Sequence, residues 1–190
     1  MYLAPQSFRP WPGLVSLRKT VGVPTEQFDF VASPQMQSFW CWAAGIEMIL
    51  RWYGVNVSQT QIVERIKGRL TNEPGSDEEI SASLNAWAVR VDGRWVRIRS
   101  KVVRGAPTPA MLIRQLRQGH PVLLAVATGP YSGHILVATS MTYLGWKVES
   151  LVFRDPTPSN VRNRGRVELS SWQIPPFMSS VRAHWLVAIQ

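Results

Sequence analysis

The 190-residue chain holds a single cysteine, Cys41, in Gln35-Met36-Gln37-Ser38-Phe39-Trp40-Cys41-Trp42-Ala43-Ala44. It heads an apolar run that favours a helix. A thiol at a helix N-terminus faces backbone N–H groups without intrahelical partners and the positive end of the helix dipole. Both favour the thiolate, the nucleophilic form. A free cysteine is also commonly a small buried hydrophobe, so its neighbours decide. A thiol hydrolase needs an imidazole base, a group that orients the base, and donors for an oxyanion.

His134 is the best base. It follows Gly129-Pro130-Tyr131-Ser132-Gly133 and opens the apolar strand Ile135-Leu136-Val137-Ala138, where a polar ring sits at a sheet edge near a cleft. His120, in a Gly-His-Pro turn, and His184, in the C-terminal strand, are weaker rivals. A hairpin of strands 134–142 and 147–154 about Leu144-Gly145 sets His134 opposite Asp155, with Cβ atoms about 5 Å apart. A one-residue slip would turn Asp155 to the other face. Asp155-Pro156 is equally an ordinary turn pair, and the two roles are compatible. Gln35 and Gln37 both precede Cys41 closely enough to offer a side-chain amide to the oxyanion beside the Cys41 N–H, and spacing does not choose between them.

The elements around these residues read in order. Residues 1–27 are an irregular arm broken by Pro5, Pro10, Pro12 and Pro24. Phe28, Phe30 and Val31 alternate as a short strand. Cys41 to Tyr53 is a central helix, apolar nearly all round and stopped by Gly54, with Glu47 and Arg51 spaced for an ion pair. Capping boxes at Ser58–Gln61 and Ser76–Glu79 open two helices, the second carrying Ile80, Leu84, Trp87 and Ala88; Thr108-Pro109 opens a fourth. Strands follow at 121–127, 134–142, 147–154, 161–170 and 181–189. Arg94 to Arg104 alternates basic and apolar residues, as a charged edge strand does. Helices before strands, without βαβ alternation, give an α+β fold with a largely antiparallel sheet.

The net charge of +9, from 21 Lys+Arg against 12 Asp+Glu, favours acidic partners. No nucleic-acid module accompanies the Arg-Trp run, so nucleic acid is not expected as a partner. One cysteine excludes an intrachain disulfide and a Cys-rich metal site. No apolar run reaches the roughly 18 residues of a membrane span, and Met1 to Pro12 holds three prolines and no apolar core of a Sec-type signal.

The Gln-x5-Cys-Trp-Ala-Ala segment, a Gly-His strand and a strand ending in Asp-Pro together resemble papain-like cysteine proteases. The resemblance includes their compact bacterial group, among them avirulence-type effectors of plant pathogens, and the peptidase domains of bacteriocin exporters. It covers roughly residues 28–156. It implies a papain-like domain over 28–190, in which N-terminal helices and the Cys41 helix pack on a C-terminal antiparallel sheet. It also implies peptide-bond hydrolysis through a Cys41 acyl-enzyme, with His134 as base, Asp155 as its orienter and Gln35 as the oxyanion donor. Trp40, Trp42 and Gly133 are expected to bind substrate, and Tyr131, Ser132 and Trp146 are further cleft candidates. No cofactor or metal is implied. Small size, basic charge and the missing signal suggest an effector or toxin, made in a bacterial cytoplasm and secreted without a signal peptide. Its partners would be a protein substrate and an acidic immunity or inhibitor protein. The same triad can serve deamidation, isopeptide cleavage or transglutamination, and the fold can serve as a binding module. Plant-type papains carry Asn where this chain offers Asp155.

Overall fold

The computed structural model describes residues 17–189. The chain runs β1 (Arg18–Gly22), α1 (Thr25–Asp29), α2 (Cys41–Trp52), α3 (Gln59–Lys67), α4 (Asp77–Asn85), β2 (Ala88–Val91), β3 (Arg94–Arg104), α5 (Pro109–Arg117), β4 (Val122–Ala127), β5 (Gly133–Leu144), β6 (Lys147–Arg154), a 3-10 turn (Pro158–Asn163), β7 (Arg166–Ser170), α6 (Ile174–Ser180) and β8 (Val181–Ile189). The strands form one sheet ordered β2-β3-β8-β4-β5-β6-β7, with β1 added to β5. Every described pairing is antiparallel.

Each side of the sheet carries its own core. On one side α2 lays Trp42, Ile46, Ile49 and Leu50 against Leu123, Val137 and Trp185. On the other, Leu112 and Leu116 of α5 and Ile174 of α6 cover Val122, Leu124, Leu136 and Phe153. Burying each such large side chain contributes roughly 1.5–3 kcal/mol. Gly45 lets α2 approach the sheet, because a Cβ there would stand 2.8 Å from both Ile135 and Leu123. The expected caps form: Ser58 and Ser76 head complete capping boxes and Thr108 accepts from Met111 N–H. Glu47 and Arg51 pair at 2.7 Å.

The chain departs from the expectations in several places. Of the expected arm, Arg18–Gly22 pairs with β5 and Thr25–Asp29 is helical, while Pro5, Pro10 and Pro12 lie outside the described residues. Phe28 faces the core from α1 rather than alternating in a strand. The helix opened at Ser76 ends at Asn85, and Ala88–Val91 turns through Asp92-Gly93 to pair with Arg94–Arg97 of β3, while Ile98–Arg104 pairs with β8 alone and has no strand on its other side. The run 161–170 is a strand only from Arg166, and α6 starts at Ile174 with two prolines in its first turn.

The β5–β6 hairpin turns at Gly145-Trp146, one residue later than expected. Two bulges then displace the ladder in opposite senses. Glu149 is the extra residue on β6, between pairs Tyr143↔Val148 and Thr142↔Ser150; Thr139 is the extra residue on β5, between Ser140↔Val152 and Ala138↔Phe153. Because one bulge offsets the other, Val137 opposes Arg154 with the parity of the turn restored.

Candidate active site

Cys41 begins α2, and no side chain caps that helix, although α3, α4 and α5 are each capped. The first-turn N–H groups of α2 are thus left for another acceptor. Cys41 is partly buried, and it shares with His134 and Gly133 a cleft of about 320 Å³ lined also by Trp42, Gly75, Ile80, Ala125 and Arg182.

His134 Nε2 lies 2.7 Å from Asp155 Oδ1, in a contact about one-fifth exposed on either side. Asp155 Oδ1 also accepts the Thr157 N–H at 2.9 Å, and Thr157 Oγ1 stands 3.3 Å from His134 Nε2. Burial alone would lower the imidazole pKa. Hydrogen bonds to Asp155 and Cys41, with the charges of both, outweigh it and raise His134 to about 9. For Asp155, burial pushes upward, but the hydrogen bonds from His134 and Thr157 prevail and hold the carboxyl below its usual range.

The two residues do not meet by the expected register. Continuing the observed ladder past Val137↔Arg154 sets Thr157 opposite His134, and Asp155 two residues back on the same face. The shift is even, so the face is kept and the contact survives. The Asp155 segment is pinned from several directions. Asp155 N–H donates to Gly165 O at 2.7 Å, and the Gln35 N–H donates to Pro156 O at 2.7 Å. Buried Arg154 reaches Asp29 at 2.6 Å and Thr25 O at 3.1 Å, tying α1 to the residue before Asp155.

Gln35 is turned toward its own loop. Its Nε2 donates to Gln37 O and Ser38 O, both at 2.9 Å, which engages both amide protons. Gln37 is exposed. Trp40, expected to bind substrate, is instead a core residue: it is 4% exposed, its indole N–H donates to Thr71 O, and it is absent from the cleft wall. Trp42 lines the cleft while also buried in the core, with its indole N–H on Glu73 O. Trp146 sits fully out at the hairpin turn beside Trp172, and Tyr131 is wholly exposed; neither lines the cleft. Of the rival histidines, His184 is buried with Nδ1 on Gly105 O, and His120 packs on Tyr53; burial lowers the pKa of both.

Thr157, Gln59 and Gly165 support the site and escaped the sequence reading. Asp-Pro-Thr carried one usable signal, since an Asp side chain commonly accepts the N–H two residues on. Gln59 and Gly165 act through tertiary contacts that no local pattern announces.

Among solved structures, the peptidase domain of Streptococcus ComA, a bi-functional ABC transporter involved in a quorum sensing pathway, superposes with TM-score 0.58 at 16% identity, covering 83% of this chain and 97% of that one. UfSP from C. elegans gives TM-score 0.57 at 13% identity, over 98% of this chain and 36% of that one. Digestive procathepsin L2 from Tenebrio molitor larval midgut gives 0.54 at 12% identity, over 91% and 69%. At these identities the likeness is one of fold, and the fold is papain-like. No curated protein matches the sequence. Residues 25–174 match the Peptidase_C39 like family, and on that match, with the papain-like fold around it, the chain belongs to this family of cysteine peptidases.

Proposed function

We propose that the chain cleaves peptide bonds with Cys41 as nucleophile, His134 as base and acid, and Asp155 as the group that orients His134. The observation that carries this is the placement of the imidazole: Asp155 holds Nε2 at 2.7 Å, Nδ1 is left free, and the ring lines the same cleft as Cys41. A ring raised to about 9 is protonated at neutral pH, and a cationic imidazole in the cleft favours the nucleophilic form of a neighbouring thiol. The sulfur attacks the scissile carbonyl, an S–C bond forms, and the oxyanion takes the Cys41 N–H at the uncapped start of α2. Gln35 is the second donor, and it exchanges one loop carbonyl for the substrate oxygen. The C–N bond breaks as His134 gives its proton to the leaving amine. Water then attacks the thioester, returns a proton to His134 and releases the acid and the thiolate.

The substrate is a protein chain. The net charge of +9 supports an effector or toxin restrained by an acidic inhibitor. Mass spectrometry of a denatured protein mixture treated with wild type or Cys41→Ala tests the reaction. New chain ends made only by wild type support proteolysis. Shifts of about 1 Da without scission, the mass change of amide to acid, would make the chain a deamidase, and crosslinks a transglutaminase.

A further inference from the structure

The loop before Cys41 is held from two sides. On one, the Gln35 N–H is fixed to Pro156 O, next to Asp155. On the other stands Gln59, the first residue of α3, which is 0% exposed. A buried amide that loses a partner bears the full desolvation penalty of the group left unpaired, so its bonds report what it holds. Gln59 Oε1 accepts the Met36 N–H at 2.9 Å. Its Nε2 donates to Pro34 O and to Glu47 Oε2, each at 2.9 Å, with Ser33 Oγ at 3.3 Å. These partners fix the amide's orientation, because an N–H only donates and a carbonyl or carboxylate only accepts.

One side chain therefore grips the residues on both sides of Gln35. It joins them to Glu47 on α2, the helix that carries Cys41, and the other Glu47 oxygen is held by Arg51. The α3 capping box uses Ser58 and Gln61, so helix formation places no demand on residue 59. The amide at that position is explained by the loop.

We propose that Gln59 is a positioning residue of the acyl-transfer site: it fixes the backbone of the Gln35 loop against α2, and from that anchored loop the Gln35 amide turns to the oxyanion beside Cys41. This rests on the assignment of Gln35 and the Cys41 N–H as the oxyanion donors.

Two reactions of Cys41 separate this role from general stiffening. Hydrolysis of N-acetylglycine p-nitrophenyl ester passes through an oxyanion, whereas alkylation by iodoacetamide displaces iodide and forms none. Gln59→Met lowers kcat for the ester about 10- to 100-fold with KM little changed. It leaves the alkylation rate and its pH profile as in wild type. In a Gln35→Ala background it has no further effect on kcat, because the two act as one unit. Gln59→Asn keeps the amide on a shorter stem, gives a smaller loss, and serves if the first variant does not fold. Unchanged kcat in Gln59→Met, parallel losses of turnover and alkylation, or losses that add to those of Gln35→Ala overturn the inference alone. Wild type that is alkylated without hydrolysing the ester overturns the parent assignment and the inference with it.

Discussion

Gly165 approaches Asp155 so closely that a Cβ on the glycine would stand 2.2 Å from the Asp155 carbonyl oxygen. Its φ of +69° also lies in the left-handed region, where side chains are strained. Gly165→Ala therefore meets both a clash and an unfavourable backbone. Relief comes only by moving Asp155, whose N–H is bonded to Gly165 O. A loss of stability of about 1–3 kcal/mol is expected, with a fall in ester turnover larger than that of a surface Gly→Ala control. Urea unfolding read beside kcat checks both.

With one cysteine, every thiol adduct reports Cys41. His134→Ala removes the ring that shares the cleft with the thiol, and is expected to slow iodoacetamide alkylation at pH 6.5 at least about tenfold. Asp155→Asn keeps the ring and its orienting contact but removes a charge, and is expected to fall between the two. Intact mass against time is the readout. Equal rates in wild type and His134→Ala would remove the thiolate–imidazolium pair and favour a binding module.

The pH dependence of stability follows from the two shifted groups. His134 is raised from 6.5 to about 9, so its contribution is complete below pH 6.5 and lost as pH climbs through 9. Asp155 is lowered, so its contribution is present above its unfolded value and lost as pH falls through the folded one. Wild type is expected to be most stable between about pH 5 and 6.5, with a decline of up to a few kcal/mol toward pH 9. Asp155→Asn is expected to flatten that alkaline decline. Denaturant midpoints at pH 5.5, 7.5 and 9 decide it.

Gly75 packs on the Trp42 ring, and a Cβ there would lie 2.6 Å from it. Trp42 is 1% exposed and has nowhere to retreat. Gly75→Ala is expected to cost about 1–3 kcal/mol by overpacking. It is also expected to disturb the cleft wall next to Cys41, seen as a lower melting temperature and a lower kcat/KM for the ester.

What was legible in the sequence had local causes. Ser58, Ser76 and Thr108 announce their helices because a cap is a contact across three residues. The Cys41 helix and its Glu47–Arg51 pair follow from composition and spacing. The face shared by His134 and Asp155 was legible too, although the register was not: bulges at Thr139 and Glu149 leave no mark in alternation. Thr139 is fixed by β1, since the Val23 N–H donates to its carbonyl, and β1 had been assigned to an irregular arm. Trp40 misled because an aromatic beside a nucleophile looks like a cleft wall, whereas its indole N–H bonds Thr71 O across the fold. Gln59 looked like part of a cap, because its partners lie 12 to 26 residues away.

The two bulges give the β5–β6 hairpin an arithmetic of its own. Each bulge residue stands outside the ladder, so losing Thr139 or Glu149 closes a bulge and leaves every pair, Val137↔Arg154 included, with its partner. Losing one paired residue between them, such as Met141, instead puts the ladder one residue out of phase beyond that point and turns its other face to His134. The separation of imidazole and carboxylate is therefore set by a count of paired residues kept well down the hairpin from the thiol. Single-residue deletions should be tolerated at the two bulges and rejected between them.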